Sequence, residues 1–198
     1  MHRLLSNRHI AFWLSFSALL TTSCTSRLVD RVQAMAQAHN RHDVDNEIRF
    51  YTDDARFEMA GRWTRQGTDQ LRQMLDMDAA LNSYLTYTFC EVRGNTVTCR
   101  VREENDLLSA AGIEAIYYES VAHVFDGWFI KEVKVKQTPE SQRLLQETME
   151  SFSQWASEKQ SQQWAALRAQ GQNITKDNLD IWLALLRQWR EETAQQEP

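Results

Sequence analysis

The sequence predicts an α+β fold. In this fold a curved, mainly antiparallel sheet wraps N-terminal helices into a cone, and further helices follow at the C-terminal end. Two observations predict it. Between residues 42 and 139 the pattern runs helix, acidic turn, strand, helix and then four strands. After Pro139, apolar residues recur at helical spacing to the end of the chain. A hydrophobic content of 42% and a charged content of 25% are typical of a globular domain.

The individual elements follow from periodicity and turn signals. Leu28, Val32 and Met35 repeat at helical spacing, whereas later segments are rich in β-branched and aromatic residues. Gly94-Asn95 and Asp126-Gly127 are two-residue turn signals, which pair the four long strands into two hairpins. In chain order we predict helices at 27–38 and 44–51, a strand at 55–59, a helix from residue 67, strands at 84–92 and 96–105, a loop at 107–112, and strands at 114–125 and 128–135.

The N-terminus carries an export signal rather than part of the fold. Arg3 and Arg8 precede an apolar run at residues 10–20, which is too short for a spanning helix because a bilayer takes about 20 residues. Small polar residues and Cys24 follow, as in a bacterial lipoprotein signal, although Thr21 stands where that signal usually has leucine. Lipid attachment at Cys24, ordinary cleavage and an uncleaved anchor all remain open. Each places the protein outside the cytoplasm, in the periplasm or cell envelope.

Two cysteines remain for the folded part of the chain. Counting outward from the Gly94-Asn95 turn places Cys90 opposite Cys99 as a non-hydrogen-bonded pair, whose side chains approach closely. A disulfide between them is one possibility in an oxidising compartment. We favour two buried thiols instead, because a regular cross-strand pair strains a disulfide.

Composition and motifs exclude several classes of partner. The formal net charge of −5, with no run of lysine or arginine, argues against nucleic acid as a partner. The sequence shows no phosphate loop, dinucleotide motif or nucleophile elbow, so we predict no cofactor. His39 and His42 lie three residues apart, next to Asp43, as metal ligands could. A convincing third ligand is missing, and we therefore predict no metal site. Contact with a membrane is expected only through a lipid on Cys24.

The C-terminal stretch is unusually aromatic. Four of the seven tryptophans follow Pro139, and Phe152, Trp182 and Trp189 fall on apolar helical stripes. A tail of this composition must bury its apolar side chains. Packing against the rest of the chain is one interpretation, and binding to a partner or to a second copy as a homodimer is the other.

Several segments together carry a family resemblance. They are residues 42–45 (HDVD), 50–57 (FYTDDARF), Gly67 at a helix start, 92–97 (VRGNTV) and 124–130 (VFDGWFI). In this order they resemble the SnoaL-like branch of the nuclear-transport-factor-2-like superfamily, over about residues 27–137. The resemblance implies a cystatin-like α+β roll around a mostly apolar pocket at residues 25–138, between a signal peptide at 1–23 and a helical extension at 139–198. Family enzymes include isomerases, dehydratases, cyclases and epoxide hydrolases, but their catalytic sets do not match this sequence.

Strand parity suggests which polar groups face such a pocket. Glu103 continues the apolar face of its strand, and Asn105 extends the same face. His123, which we expect opposite Ile130, is the only histidine in the predicted sheet and is the general-base candidate. The family resemblance, rather than parity, makes Asp54 an acid candidate, because such domains often keep an acid at this position; a local turn role is the alternative. A solvated position for Glu103 and Asn105, and a structural role for His123, are the corresponding alternatives. The aromatic candidates for the pocket lining, each of which could equally be ordinary core, are Tyr51, Trp63, Tyr117, Tyr118 and Trp128.

Three functional hypotheses follow. The favoured one is an exported protein that binds a small apolar ligand in the cone without chemistry. The second is a lyase or isomerase that uses His123 with Glu103 or Asp54. The third is an interaction or dimer module that uses the tryptophan-rich helices.

Overall fold

The computed structural model describes residues 18–169 and 174–194, with side chains from residue 27 onward. The fold within these residues is α+β, as predicted, with a six-stranded curved sheet and C-terminal helices. The helices are α1 (Ala18–Asn40), α2 (Val44–Glu47, continued by a 3₁₀ turn at Ile48–Phe50), α3 (Thr68–Ala80), α4 (Asp106–Ala110), α5 (Pro139–Lys159), α6 (Ser161–Ala169) and α7 (Leu179–Ala194). The strands are β1 (Tyr51–Met59), β2 (Trp63–Gln66), β3 (Tyr84–Arg93), β4 (Thr96–Glu104), β5 (Ile116–Asp126) and β6 (Phe129–Gln137).

The sheet is mainly antiparallel and has the strand order β2-β1-β6-β5-β4-β3. The pair of β1 and β6 is parallel, and the other neighbours are antiparallel. Helix α1 packs against β3 and β4, while α3 packs against β1 and β2. The two helices therefore cover one face of the sheet and create the space inside the cone.

Some element boundaries differ from the prediction. Strand β1 begins at Tyr51 rather than residue 55, and helix α4 occupies part of the expected loop at 107–112. Strand β2 was not predicted because its four residues are mostly polar and become a strand only by pairing with β1. Pairing with a neighbour is not visible in a local pattern.

The two hairpins close differently. The first has its turn at Gly94-Asn95, as predicted, with Arg93 opposite Thr96. In the second, Asp126 pairs with Phe129, so the turn lies one residue later than predicted. A register shift between Val124 and Phe125 follows. As a result His123 lies opposite Val133, and the expected pairing with Ile130 is wrong.

Cys90 and Cys99 form a disulfide, and the expectation of two free thiols is wrong. That expectation assumed a regular ladder. The structure instead shifts the register of β3 between Thr88 and Glu91, where Phe89 has a positive φ of 51°. A bulge of this kind re-aims the side chains beside it, which brings the two Cα atoms to 4.1 Å.

The C-terminal helices bury their aromatic side chains together. The ring of Phe152 lies 5.6–6.1 Å, centroid to centroid, from the rings of Trp155, Trp164, Trp182 and Trp189. Helix α7 also packs against α4 and α5. The aromatic stripe is therefore buried within the chain and does not form an exposed docking surface. A homodimer through another surface stays a prediction.

The predicted signal peptide lies largely outside the described residues, and the side chain of Cys24 is not among those described. Across residues 18–169 and 174–194, no helix combines the length and apolar character that crossing a membrane requires. Signal processing and lipid attachment stay predictions.

Candidate ligand-binding cavity

A cavity of about 210 Å³ lies inside the cone, between the covering helices and the sheet. Helix α1 contributes Met35 and α3 contributes Leu75, while the strands supply the opposite wall. The apolar lining side chains are Met35, Tyr51, Phe57, Met59, Trp63, Met74, Leu75, Leu85, Tyr87, Val101, Tyr118, Val121 and Val135. The polar lining side chains are His39, Glu47, Asp78, Ser83, Glu103 and His123.

A buried ion pair begins the polar part of the wall. His39 Nδ1 lies 3.2 Å from Glu47 Oε1, and both side chains are almost fully buried. Burial lowers the pKa of His39, but the hydrogen bond and charge of Glu47, helped by the charges of Asp78 and Glu103, outweigh burial and raise this pKa. His39 is therefore the group in this part of the cavity that can carry a positive charge.

A hydrogen-bonded chain links this pair to Glu103. His39 Nε2 lies 3.4 Å from Ser83 Oγ, which donates to Glu103 Oε1 at 3.4 Å. Tyr118 donates its hydroxyl to Glu103 Oε2 at 2.5 Å, and Asn105 Nδ2 donates to Oε1 at 2.8 Å. Burial, together with the charge of Glu103, raises the pKa of Tyr118 far above its ordinary value, so this phenol remains a donor. The carboxylate of Glu103 is thus held in place by three neutral side chains.

Asp78 supplies a third carboxylate. Burial, the negative charge of Glu103 and the charge of Glu47 raise the pKa of Asp78 to about 7, against the opposing effect of His39. Asp78, Trp63 and Met74 also line a larger outer groove of about 640 Å³. Asp78 therefore stands where the inner cavity meets this groove.

His123 borders the cavity from β5 and is only 1% exposed. Burial lowers the pKa of His123 to about 4, although a hydrogen bond with the Val97 backbone acts in the opposite direction. Its ring lies 5.7 Å from the ring of Tyr87, and Nδ1 has no hydrogen-bond partner among the described residues. At neutral pH His123 is an uncharged imidazole with a free ring nitrogen.

Some of the site residues predicted from the sequence line the cavity, and others do not. Glu103, His123, Tyr51 and Trp63 all line the cavity. Asn105 does not line it; it caps α4 by accepting a hydrogen bond from the Leu108 amide, and it holds Glu103.

Besides Asn105, three further predicted site residues do not line the cavity, and their assignment to the pocket is wrong. Asp54 lies in β1 but is exposed. Tyr117 and Trp128 are 50% and 51% exposed, and neither lines the cavity. Trp128 belongs to the hairpin turn between β5 and β6, where its carbonyl accepts a hydrogen bond from Arg31.

A bulge in β5 explains why Tyr118, rather than Tyr117, faces inward. In a regular strand His123 and Tyr117 share a face, because both numbers are odd. The register of β5 against β6 shifts between Tyr118 and Ser120. The extra residue reverses the alternation, which puts Tyr118 and His123 on the same inner face.

His39 and Asp78, the members of the polar cluster that lie on α1 and α3, were not predicted as pocket residues. His39 follows Val32 and Met35 on the buried stripe of α1, and Asp78 follows Leu71 and Leu75 on that of α3. A polar residue that continues an apolar helical stripe was the available signal. The groups that surround His39 and Asp78 could not be predicted from these stripes, because they lie on other helices and strands.

Chemically, the cavity combines an apolar body with one acidic, hydrogen-bonding region. Such a wall can hold a small molecule, and paired groups with separated pKa values can also move protons. Among the described residues, no three His, Cys, Asp or Glu side chains form a group that could bind a metal ion. The predictions of no metal and no cofactor stay predictions.

Comparison with known proteins identifies the fold. No family model and no curated protein matches the chain. Among solved structures, the chain is similar to the epoxide hydrolase/cyclase-like enzyme SalBIII of salinomycin pyran-ring formation, at 14% identity over 59% of this chain and 94% of the other, with a TM-score of 0.53. An LEH-like epoxide hydrolase of M. tuberculosis matches at 14% identity over 59% of this chain and 86% of the other, with a TM-score of 0.51.

A third similar structure is a protein of unknown function with a cystatin-like fold from Methylobium petroleophilum PM1. It matches at 13% identity over 58% of this chain and 77% of the other, with a TM-score of 0.50. At such identities the matches show the fold alone. The chain has the α+β roll of cystatin-like folds, which is the fold that the resemblance seen in the sequence implied.

Proposed function

We propose that this protein binds a small, largely apolar molecule in the cavity, with the polar group of that molecule at Glu103 and Asp78. The observation that carries the proposal is an apolar cavity of about 210 Å³ with a buried acidic cluster in one part of its wall. A cavity of about 150 Å³ holds benzene, so this one suits a molecule of roughly six to ten non-hydrogen atoms.

The cost of the acidic cluster supports a binding role. Burying carboxylates destabilises a protein unless hydrogen bonds or opposite charges compensate for it. Glu103 has three donors around it, yet the pKa of Asp78 is still raised to about 7 by burial and neighbouring acids. Perturbed acids in a cavity are typical of functional sites.

The test uses cavity filling in the full-length chain. Binding of 2-phenylethanol is measured by ligand-observed NMR to wild type, Leu85→Trp and Thr86→Trp. Leu85 lines the cavity, whereas its neighbour Thr86 is exposed. Filling the cavity should weaken binding about tenfold or more, while the matched exposed variant should bind like wild type. Absence of binding to wild type, or equal binding by all three proteins, refutes the cavity as the binding site.

A second candidate function is acid–base catalysis on the bound molecule. Burial and neighbouring acids raise the pKa of Asp78 to about 7, and Glu103 lies in the same wall in a 2.5 Å hydrogen bond with Tyr118. Pairs of this kind serve as base and acid in proton-transfer enzymes. Burial lowers the pKa of His123 to about 4, so its imidazole is a weak base, and the carboxyl groups of Glu103 and Asp78 are the remaining candidates.

Exchange of the α-hydrogens of cyclohexanone with D₂O tests this candidate. Catalysis predicts faster exchange with wild type than with Glu103→Gln, while Glu104→Gln, on the neighbouring residue, should match wild type. Exchange rates equal to the buffer rate for all three proteins would leave binding as the function.

We also propose that the protein is exported and anchored through a lipid on Cys24. The Cys90–Cys99 disulfide supports an oxidising compartment, where such bonds persist. Membrane fractionation of wild type and Cys24→Ala in the native host tests the anchor. Lipid attachment predicts that only wild type sediments with membranes, and equal distribution of the two proteins would contradict it.

A further inference from the structure

The charges on the cavity wall are unbalanced. Glu47, Asp78 and Glu103 contribute three carboxyl groups, whereas the described lining residues include no lysine or arginine and only two histidines, His39 and His123. His39 and Glu47 form their own ion pair at 3.2 Å. Asp78 and Glu103 are therefore left without a cation of their own.

Glu103 is oriented but not neutralised. Its three donors, Tyr118, Asn105 and Ser83, are all uncharged side chains. These hydrogen bonds fix both carboxylate oxygens and point the group at the cavity that it lines. Neutral donors orient a carboxylate but bring no positive charge to balance it, and a bound cation would stabilise it.

Asp78 has no partner that fixes its carboxyl group within the described part of the chain. No side chain there donates a hydrogen bond to it, and it forms no ion pair there. It lines both the inner cavity and the outer groove, so a ligand that enters from the groove passes it. Its charge is coupled to Glu103, His39 and Glu47, which are the other charged groups of the wall.

His123 provides an independent indication of a ligand. It lines the same cavity, and its side chain is only 1% exposed to solvent. Its Nδ1 atom has no hydrogen-bond partner among the described residues. Buried polar atoms are nearly always hydrogen-bonded, so an orphaned one beside a cavity marks a missing partner. Because this imidazole is uncharged, it can accept a hydrogen bond from a cation without repelling it.

We infer that the ligand of this cavity is a small amine, whose ammonium group binds between Asp78 and Glu103 and whose apolar body fills the rest of the space. This inference rests on the proposed binding function and specifies its ligand class. The aromatic rings of Tyr51, Tyr87 and Trp63 in the same wall suit a cation as well. Acidic ligands are excluded by like-charge repulsion from Asp78 and Glu103.

Three probes of nearly equal size test the ligand class: 2-phenylethylamine, 2-phenylethanol and phenylacetate. Their binding to the full-length chain is measured by isothermal titration calorimetry near neutral pH, where the amine is charged. The amine should bind about tenfold or more tightly than the alcohol, and phenylacetate should bind most weakly of the three.

Isosteric variants locate the charge that binds the amine. Asp78→Asn and Glu103→Gln should each lower amine affinity about tenfold, while changing alcohol affinity less than about threefold. Asp76→Asn and Glu104→Gln are matched controls on neighbouring positions outside the cavity wall and should leave amine affinity unchanged. Because the two test variants change different residues, a folding defect in one leaves the other informative.

The outcomes separate the two proposals. Equal affinity of amine and alcohol, or amine binding that survives both variants, overturns the amine inference and leaves the cavity function standing. Failure of all three probes to bind wild type overturns both. Tight amine binding that is lost in both variants and retained in both controls supports the amine inference.

Discussion

Replacing Asp78 by asparagine should stabilise the protein, and more so as pH rises. The carboxyl group of Asp78 borders a cavity in which burial and the charges of Glu103 and Glu47 disfavour its ionised form. Asparagine has nearly the same shape and never ionises. The substitution therefore removes an unfavourable charge while it keeps the packing of α3.

The magnitude follows from the pKa of Asp78, which rises from 3.8 to about 7 in the folded protein. A raised folded pKa means that the native state binds the proton more tightly than the unfolded chain. The stabilising contribution of the neutral form is therefore complete below about pH 4, and it is lost as pH rises through about 7. Three pKa units correspond to about 4 kcal/mol, and partial exposure of Asp78 reduces this to about 2–4 kcal/mol at pH 8.

Urea unfolding followed by tryptophan fluorescence measures this effect. The gain in unfolding free energy of Asp78→Asn over wild type should grow by about 2 kcal/mol between pH 5 and pH 8. Asp76→Asn is the control, because Asp76 forms a half-exposed ion pair with Lys176, and its effect should stay within about 0.5 kcal/mol. An Asp78→Asn effect that is equal at both pH values, or destabilising at pH 8, refutes the reasoning.

Two further predictions concern the packing and the disulfide. Phe152→Ala should cost about 3–5 kcal/mol of unfolding free energy, because the ring contacts four tryptophans, while Leu144→Ala on the exposed side of α5 should cost under about 1 kcal/mol. Similar costs in urea unfolding would show that the aromatic cluster is not a core. Replacing both Cys90 and Cys99 by alanine should cost about 2–3 kcal/mol, since the bond closes a loop with a sequence separation of 9. Adding reductant should bring wild type to the level of the double variant and leave that variant unchanged, and a wild type insensitive to reductant would contradict this.

The order of elements was predictable because it depends on local patterns. Helical periodicity located α1, α3 and α5, and the Gly94-Asn95 turn set the register of the first hairpin. Strand β2 was not predicted, because its polar residues form a strand only through their pairing with β1. The burial of the tryptophans was predictable as well, although the sequence could not say that their partners lie within the chain.

The site was predictable only in part, because strands β3 and β5 contain irregularities. Alternation along β4 correctly placed Glu103 inside. Alternation along β5 failed at the bulge after Tyr118, which is why Tyr117 faces solvent. The same kind of irregularity in β3 allowed the disulfide that a regular ladder disfavours. A one-residue bulge leaves no reliable mark in a single sequence, yet it reverses every later side chain.

The stability prediction and the amine inference depend on the same feature of Asp78. Without a ligand its charge is unfavourable, because burial and the charges of Glu103 and Glu47 outweigh the opposing effect of His39, and no side chain among the described residues donates a hydrogen bond to it. An apolar residue on that stripe of α3 would fold better, so stability alone does not account for an acid there. A ligand that brings a positive charge to Asp78 and Glu103 would convert the same arrangement into a favourable one. The destabilisation that we expect from Asp78 without a ligand is therefore the counterpart of the selectivity expected in the complex. If Asp78 destabilises the fold but does not affect amine affinity, the two effects are separate.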